Sequence, residues 1–158
     1  MTNRVEMYLE YKRELCALIG GESTITEQDA ENDVYYATHS EDAKWIAVED
    51  NNEEIGFIIL GFGRNLMRGA GEPTVDYFIQ ETYIRPEYRR KGIMTKEVEK
   101  LLDQHKGIYG LYILSKNKPA LAFWHTIIKD RWINVDNLGS DEDGKEYAFD
   151  NRERELDD

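Results

Sequence analysis

The segment from Val75 to Leu102 constrains the fold more than any other part of the chain. Val75 to Ile84 is a largely apolar run of strand length, and it leads through Arg85-Pro86 into Tyr88-Arg89-Arg90-Lys91-Gly92-Ile93-Met94-Thr95. From about Gly92 to His105, Met94, Val98, Leu101 and Leu102 fall on one side of a helix. A strand that turns through three basic residues and a glycine into a helix has the parts of an anion cradle. The first N–H groups of a helix lack intrahelical acceptors, and the macrodipole places partial positive charge at the same end. Gly92 lets a ligand approach the backbone with no side chain between them. A phosphate-bearing cofactor is the first expectation.

Charge marks the same segment. The formal net charge of −12 disfavours a general nucleic-acid binder. Residues 85–118 run against that balance, with nine bases and four acids, whereas residues 1–84 are net −11 and residues 139–158 net −6. A basic island therefore lies in an acidic chain, and it contains the Gly92 turn.

At 158 residues, 41% of them hydrophobic, the chain has enough material for one domain with its own core. Cys16 is the only cysteine, so there is no disulfide framework and a reducing compartment is expected. No apolar run is long enough to span a bilayer, and the segment from Met1 to Glu6 is too polar for a signal peptide. The expectation is a cytoplasmic protein without a membrane partner. His39, His105 and His125 have no ligand spacing with one another or with Cys16, so no metal site is expected.

The remaining elements follow from pattern. Val5, Tyr8, Leu9, Leu15, Cys16 and Ile19 predict an amphipathic helix ended by Gly20-Gly21. Ser23 or Thr24, with Glu27 behind, is a candidate cap for a second helix through Ala37, with Val34, Tyr35 and Tyr36 toward the core. Trp45 to Val48 and Ile55 to Phe62 predict a hairpin around Asp50-Asn51-Asn52. Residues 63–74 lack periodicity and read as a long loop. Ile108 to Leu114 predicts a strand, and Asn117-Lys118-Pro119 starts a helix through about Lys129 that buries Ala120, Phe123, Trp124 and Ile127. Arg131 to Val135 and Glu146 to Phe149 predict two final strands. The order predicts an α/β fold with a mixed sheet and helices on both faces. Residues 1–150 are expected to form a single domain, with 1–40 a helical substrate-side part and 44–135 the core; residues 151–158 are a charged tail expected to stay unburied.

Two motifs then give a resemblance. Arg89-Arg90-Lys91-Gly92-Ile93-Met94 is similar to the acetyl-coenzyme A motif of the GCN5-related N-acetyltransferase (GNAT) superfamily, and Asn117-Lys118-Pro119-Ala120-Leu121-Ala122-Phe123-Trp124 resembles its next-helix motif. The likeness covers residues 44–135 and is strongest over 75–128. It implies a mostly antiparallel central sheet with one splayed strand pair, and acetyl-CoA as cosubstrate. It further implies acetyl transfer to a primary amine within a ternary complex. A catalytically degenerate domain that binds coenzyme A or a protein partner stays open as the alternative.

The resemblance also implies roles. Backbone N–H groups from Arg90 through Gly92, Ile93 and Met94, with Thr95 beside them, would hold the pyrophosphate, and the Arg89, Arg90 and Lys91 side chains would add charge. Ile84 would pair with the pantetheine arm, Asn117 would hydrogen-bond it, and Phe123 and Trp124 would flank the thioester. Met94 stands where the family usually has Gly or Ala, and Trp124 stands where many members place the tyrosine that protonates the leaving thiolate.

The chemistry sets its own demands. An aliphatic amine titrates near ~10.4, so only about 1 in 2500 molecules is neutral at pH 7 and a base is needed. Glu81 is the candidate base, with Asp76 and Glu72 as weaker ones. The oxyanion donor is expected to be a backbone N–H near Tyr83 or Ile84. Tyr83, Tyr112, Ser115 and His125 are candidates to protonate the thiolate, with Tyr112 more readily read as a packed strand residue and His125 as an exposed one. The acidic amino-terminal half suits a cationic acceptor: a polyamine, an aminoglycoside, or a protein lysine or amino terminus. A homodimer is left open.

Overall fold

The computed structural model describes residues 4–21, 24–63, 75–129 and 143–152. Two helices open the chain, α1 at Arg4–Leu18 and α2 at Glu27–His39, followed by β1 at Ala43–Asp50, β2 at Glu53–Phe62 and β3 at Tyr77–Ile84. A 3-10 turn at Pro86–Tyr88 leads into α3 at Ile93–Gln104, and β4 at Ile108–Leu114, α4 at Lys118–Ile128 and β5 at Gly144–Asp150 complete the described order. The strands form one sheet in the order β1-β2-β3-β4-β5. Only the β3–β4 pair is parallel, bridged by α3 as its crossover; the other pairs are antiparallel. The expected mixed α/β architecture is present.

Local chemistry explains the boundaries. Asn51 and Asn52 both take positive φ, as a two-residue hairpin loop between β1 and β2 requires. α1 ends where Gly20, at φ 79°, lets the Gly21 N–H return to the Cys16 carbonyl at 2.9 Å. α2 is capped later than expected. Thr26 and Asp29 form a reciprocal capping box, in place of Ser23 or Thr24 with Glu27.

The sheet separates two clusters of buried side chains. On one face, Met7, Tyr8 and Tyr11 of α1 and Ala30, Val34 and Ala37 of α2 pack on Trp45, Phe57, Ile59 and Tyr83. The other cluster gathers Val98, Leu101 and Leu102 of α3 and Trp124, Ile127 and Ile128 of α4 around Ile58, Leu60, Ile79 and Tyr109. Tyr35 and Tyr36 are corrections to the expected core, being 65% and 48% exposed. The inward stripe of α2 is Ala30, Val34 and Ala37, and a 100° step per residue carries its tyrosines outward. Asn151 is a second correction. It is buried, its N–H reaches the Gly107 carbonyl at 2.8 Å and its side chain donates to the Leu102 carbonyl, so the tail does not begin there. The expected strand at 131–135, the loop residues 64–74 with Glu72, and residues 153–158 lie outside the described residues.

β3 is irregular at Gln80. Ile59 pairs with Glu81 while its neighbour Leu60 pairs with Ile79, so Gln80 is an extra residue on β3. In a regular strand Ile79 and Glu81 would share a face. The bulge breaks the alternation: Ile79 packs with α3 and α4, whereas Glu81 and Tyr83 turn toward α1.

Candidate active site

β3 and β4 pair only through Tyr77, Phe78 and Ile79 against Tyr109, Gly110 and Leu111. Beyond these residues the strands part, and among the described residues β3 from Gln80 to Ile84 has no partner strand on its β4 side. Two cavities meet at this opening. The larger, about 510 Å³, runs from Thr82, Tyr83 and Ile84 along Arg89, Arg90 and the first turn of α3 to Asn117, Phe123 and Trp124. The smaller, about 250 Å³, is lined by Gln80, Glu81 and Thr82 on one strand and Leu111 to Leu114 on the other. Tyr11, Leu15, Thr82, Asn117, Ala120 and Trp124 border both. The two spaces therefore meet where a group could pass from one occupant to another.

Glu81 lines the smaller cavity, next in sequence to Thr82 and hydrogen-bonded by Tyr11, which both border the two cavities. The Tyr11 hydroxyl donates to Glu81 Oε2, and Lys12 Nζ lies 3.2 Å from Oε1. Burial pushes the Glu81 carboxyl up to about 7, because charge is costly where water is excluded. The same cause lowers Lys12 below the usual lysine range. Burial thus acts on both partners in one sense, toward the neutral acid and the neutral amine.

The turn before α3 is built around backbone shape. Arg90 and Gly92 take φ 65° and 76°, and Gly92 is the N-cap of α3 without a side-chain cap. The first-turn N–H groups are thus left for another acceptor. A Cβ built on Gly92 would meet nothing within 4 Å, so the turn faces open space on the cavity wall.

Arg89 points elsewhere. Its Nε donates to the Ile84 carbonyl at 2.9 Å, its Nη2 reaches Glu14 at 2.8 Å, and its guanidinium lies 5.5 Å from the centre of the Tyr83 ring. Arg85 meets Glu10 at 3.4 Å. These pairs fasten α1 to the turn, so Arg89 supports the cradle while Arg90 is the guanidinium with no partner among the described residues. Lys91 borders neither cavity and lies over the Tyr88 ring at 5.6 Å.

The other expected residues divide clearly. Ile84, Arg89, Arg90, Gly92, Ile93, Met94, Thr95, Asn117, Phe123 and Trp124 all border the larger cavity. Asn117 spends its Oδ1 on the Ala120 N–H as the α4 cap, which leaves its Nδ2 to offer a ligand. Tyr83 borders that cavity too, but its hydroxyl points to Glu10 at 3.4 Å and is pushed up to about 12, chiefly by burial. Ser115 is exposed and borders neither cavity; its N–H bonds the Asp143 carbonyl at 2.8 Å. Asp76 is tied to Ile108, accepting from its N–H at 2.8 Å. His125 is exposed beside the Tyr147 ring.

Tyr112 departs from its packed-strand reading: it is partly exposed on the wall of the smaller cavity. Tyr11 and Lys12 were not singled out from sequence. About 70 residues separate them from Glu81, and only the helical register of α1 hinted that Tyr11 faces inward.

The sheet thus opens between two parallel strands beside a helix that starts at a glycine. The chain belongs to the acetyltransferase (GNAT) family, whose model matches residues 9–127. Solved structures share the fold at low sequence identity. An acetyltransferase from Thermus thermophilus superposes with a TM-score of 0.65 at 15% identity, covering 92% of this chain and 87% of that one. The PaiA N-acetyltransferase from Thermoplasma acidophilum, solved in complex with coenzyme A, gives 0.60 at 17% identity over 95% of each chain. A GNAT-family acetyltransferase from Staphylococcus aureus Mu50 gives 0.65 at 14% identity, over 95% of this chain and 92% of that one. No curated protein matches the chain in sequence. Among the described residues no cluster could hold a metal ion, and no helix is long and apolar enough to cross a membrane.

Proposed function

We propose that the protein is an acetyl-CoA-dependent N-acetyltransferase that acetylates a primary amine by direct transfer in a ternary complex. The observation that carries this reading is Glu81, a carboxyl held near neutral pH in the wall of the smaller cavity, with its donor Tyr11 bordering both cavities. The larger cavity suits coenzyme A. The first-turn N–H groups of α3 and the Arg90 guanidinium are donors for a pyrophosphate, and open space at Gly92 lets it come close. The unpaired edge of β3 and the Asn117 Nδ2 are hydrogen-bonding partners for an amide-bearing arm. Phe123 and Trp124 are apolar surface for the acetyl end.

The reaction balances with this chain's residues. An ammonium entering the smaller cavity gives one proton to Glu81. The neutral amine attacks the thioester carbonyl carbon, forming the C–N bond as the C–S bond breaks. Nitrogen loses its second proton as the amide forms, the thiolate takes up one proton to give free thiol, and the other proton is released to water. Tyr11 borders both cavities and donates to Glu81, so it can give the sulfur that one proton and recover it from Glu81, which then takes the second proton from nitrogen and releases it to water. Tyr11 would thereby fill the place that Trp124 vacates. Reactants held in line can gain ~7–11 kcal/mol from positioning alone.

The test is steady-state thiol release from acetyl-CoA with a panel of primary amines. The rate is expected to rise with pH through about 7 as Glu81 ionises. Glu81→Gln should slow turnover by about 10²- to 10⁴-fold with coenzyme A affinity unchanged. Coenzyme A binding without thiol release from any amine would instead favour the binding-module reading.

A further inference from the structure

The acetyl-transfer reading leaves the acceptor open, and the inference here rests on that reading. The smaller cavity narrows the choice. Its volume of about 250 Å³ is the share of roughly eight liquid waters. Among the described residues its wall has one carboxylate, Glu81, and no cationic side chain. Gln80, Thr82 and Asn117 are neutral, and the rest of the wall is apolar or aromatic. Lys12 already shares that carboxylate through Oε1, so the described wall can compensate at most one incoming charge.

A second ammonium on the acceptor would lose its water against aliphatic side chains with no counter-charge to receive it. Burial of an unpaired charge is among the costliest events a site can impose. The acidity of the chain as a whole draws cations from a distance but does not compensate desolvation inside this cavity. An apolar chain or ring, by contrast, gains from leaving water against Leu111, Ile113 and Trp124.

We propose that the site accepts a small primary amine carrying a single positive charge on an apolar body, an alkylamine or arylalkylamine, and discriminates against polyamines. Glu81 receives the ammonium, and the apolar walls and Tyr112 receive the body.

The test compares hexylamine with pentane-1,5-diamine, which have the same number of non-hydrogen atoms and differ by a methyl group in place of a second ammonium. With acetyl-CoA, hexylamine is expected to show a kcat/KM at least about tenfold higher. Gln80→Glu, which adds a second carboxylate to the wall, should narrow that ratio about tenfold. Equal values for the wild-type protein, or a preference for the diamine, would overturn the proposal. Should neither amine release thiol, acetyl transfer fails as a reading and the acceptor class is read from calorimetry instead. Titrated into the protein–coenzyme A complex, hexylamine is expected to bind more tightly than the diamine. Equal or reversed affinities, or no binding of either amine, would overturn it.

Discussion

The Tyr11 hydroxyl donates to the Glu81 carboxylate, joining a helix near the start of the chain to the strand that opens the sheet. The contact gives α1 two duties. Through Met7, Tyr8 and Tyr11 it closes the core over Phe57, and through Tyr11 and Lys12 it sets the environment of the one carboxylate in the smaller cavity.

Tyr11→Phe tests the second duty. A hydroxyl donor favours the ionised carboxylate, so its loss moves the acidic limb of the pH–rate profile upward from about 7, by about one unit. Turnover at pH 7 falls accordingly and recovers in part at high pH. If Tyr11 also protonates the thiolate, the plateau drops as well. Rates across pH 5.5–9 separate the two effects.

Stability should report the same group in the opposite sense. Glu81 titrates at about 7 in the fold and at 4.5 as the ordinary value, so the folded state holds its proton more tightly. Its contribution is fully present below pH 4.5 and is lost as pH rises through about 7. Glu81→Gln cannot ionise and escapes that loss. The variant is expected to gain about 2 kcal/mol over the wild type between pH 5 and pH 8, seen as a difference in melting temperature that widens with pH.

Gly92→Asp separates the cradle from the fold. Aspartate tolerates a left-handed backbone better than most residues, and nothing lies within 4 Å of the new Cβ, so the melting temperature should change by only a few degrees. A carboxylate beside a pyrophosphate is repulsive, and coenzyme A affinity should fall by about tenfold or more in calorimetry. Unchanged affinity would remove the turn from the cofactor site.

Much of this architecture was legible in the chain. The strand–turn–helix at 75–105 and the α4 start at Asn117 follow local rules of periodicity, capping and glycine placement, which need no knowledge of distant partners. Glu81 was legible as a strand acid near the splay. Its orientation was not, because the bulge at Gln80 leaves no mark in the pattern of apolar residues. Arg89 was legible only in part, for a related reason. Its neighbours in sequence suggested an anion ligand, while its partner Glu14 lies 75 residues away and only the fold brings them together. Tyr35 and Tyr36 show the limit of composition: aromatic residues on a short helix were read as core, yet three small or branched residues suffice to seat α2.

The bulge in β3 makes the chemistry depend on strand register as well as on residue identity. Removing Gln80 would make Ile79 and Glu81 consecutive, and plain alternation would still hold them on opposite faces, so the carboxylate would keep its side while the local bend was lost. A relative that kept Gln80 but paired the strand without a bulge would instead set this carboxylate beside Ile79, beneath α3 and α4, and keep its cofactor cradle while its acceptor met no base.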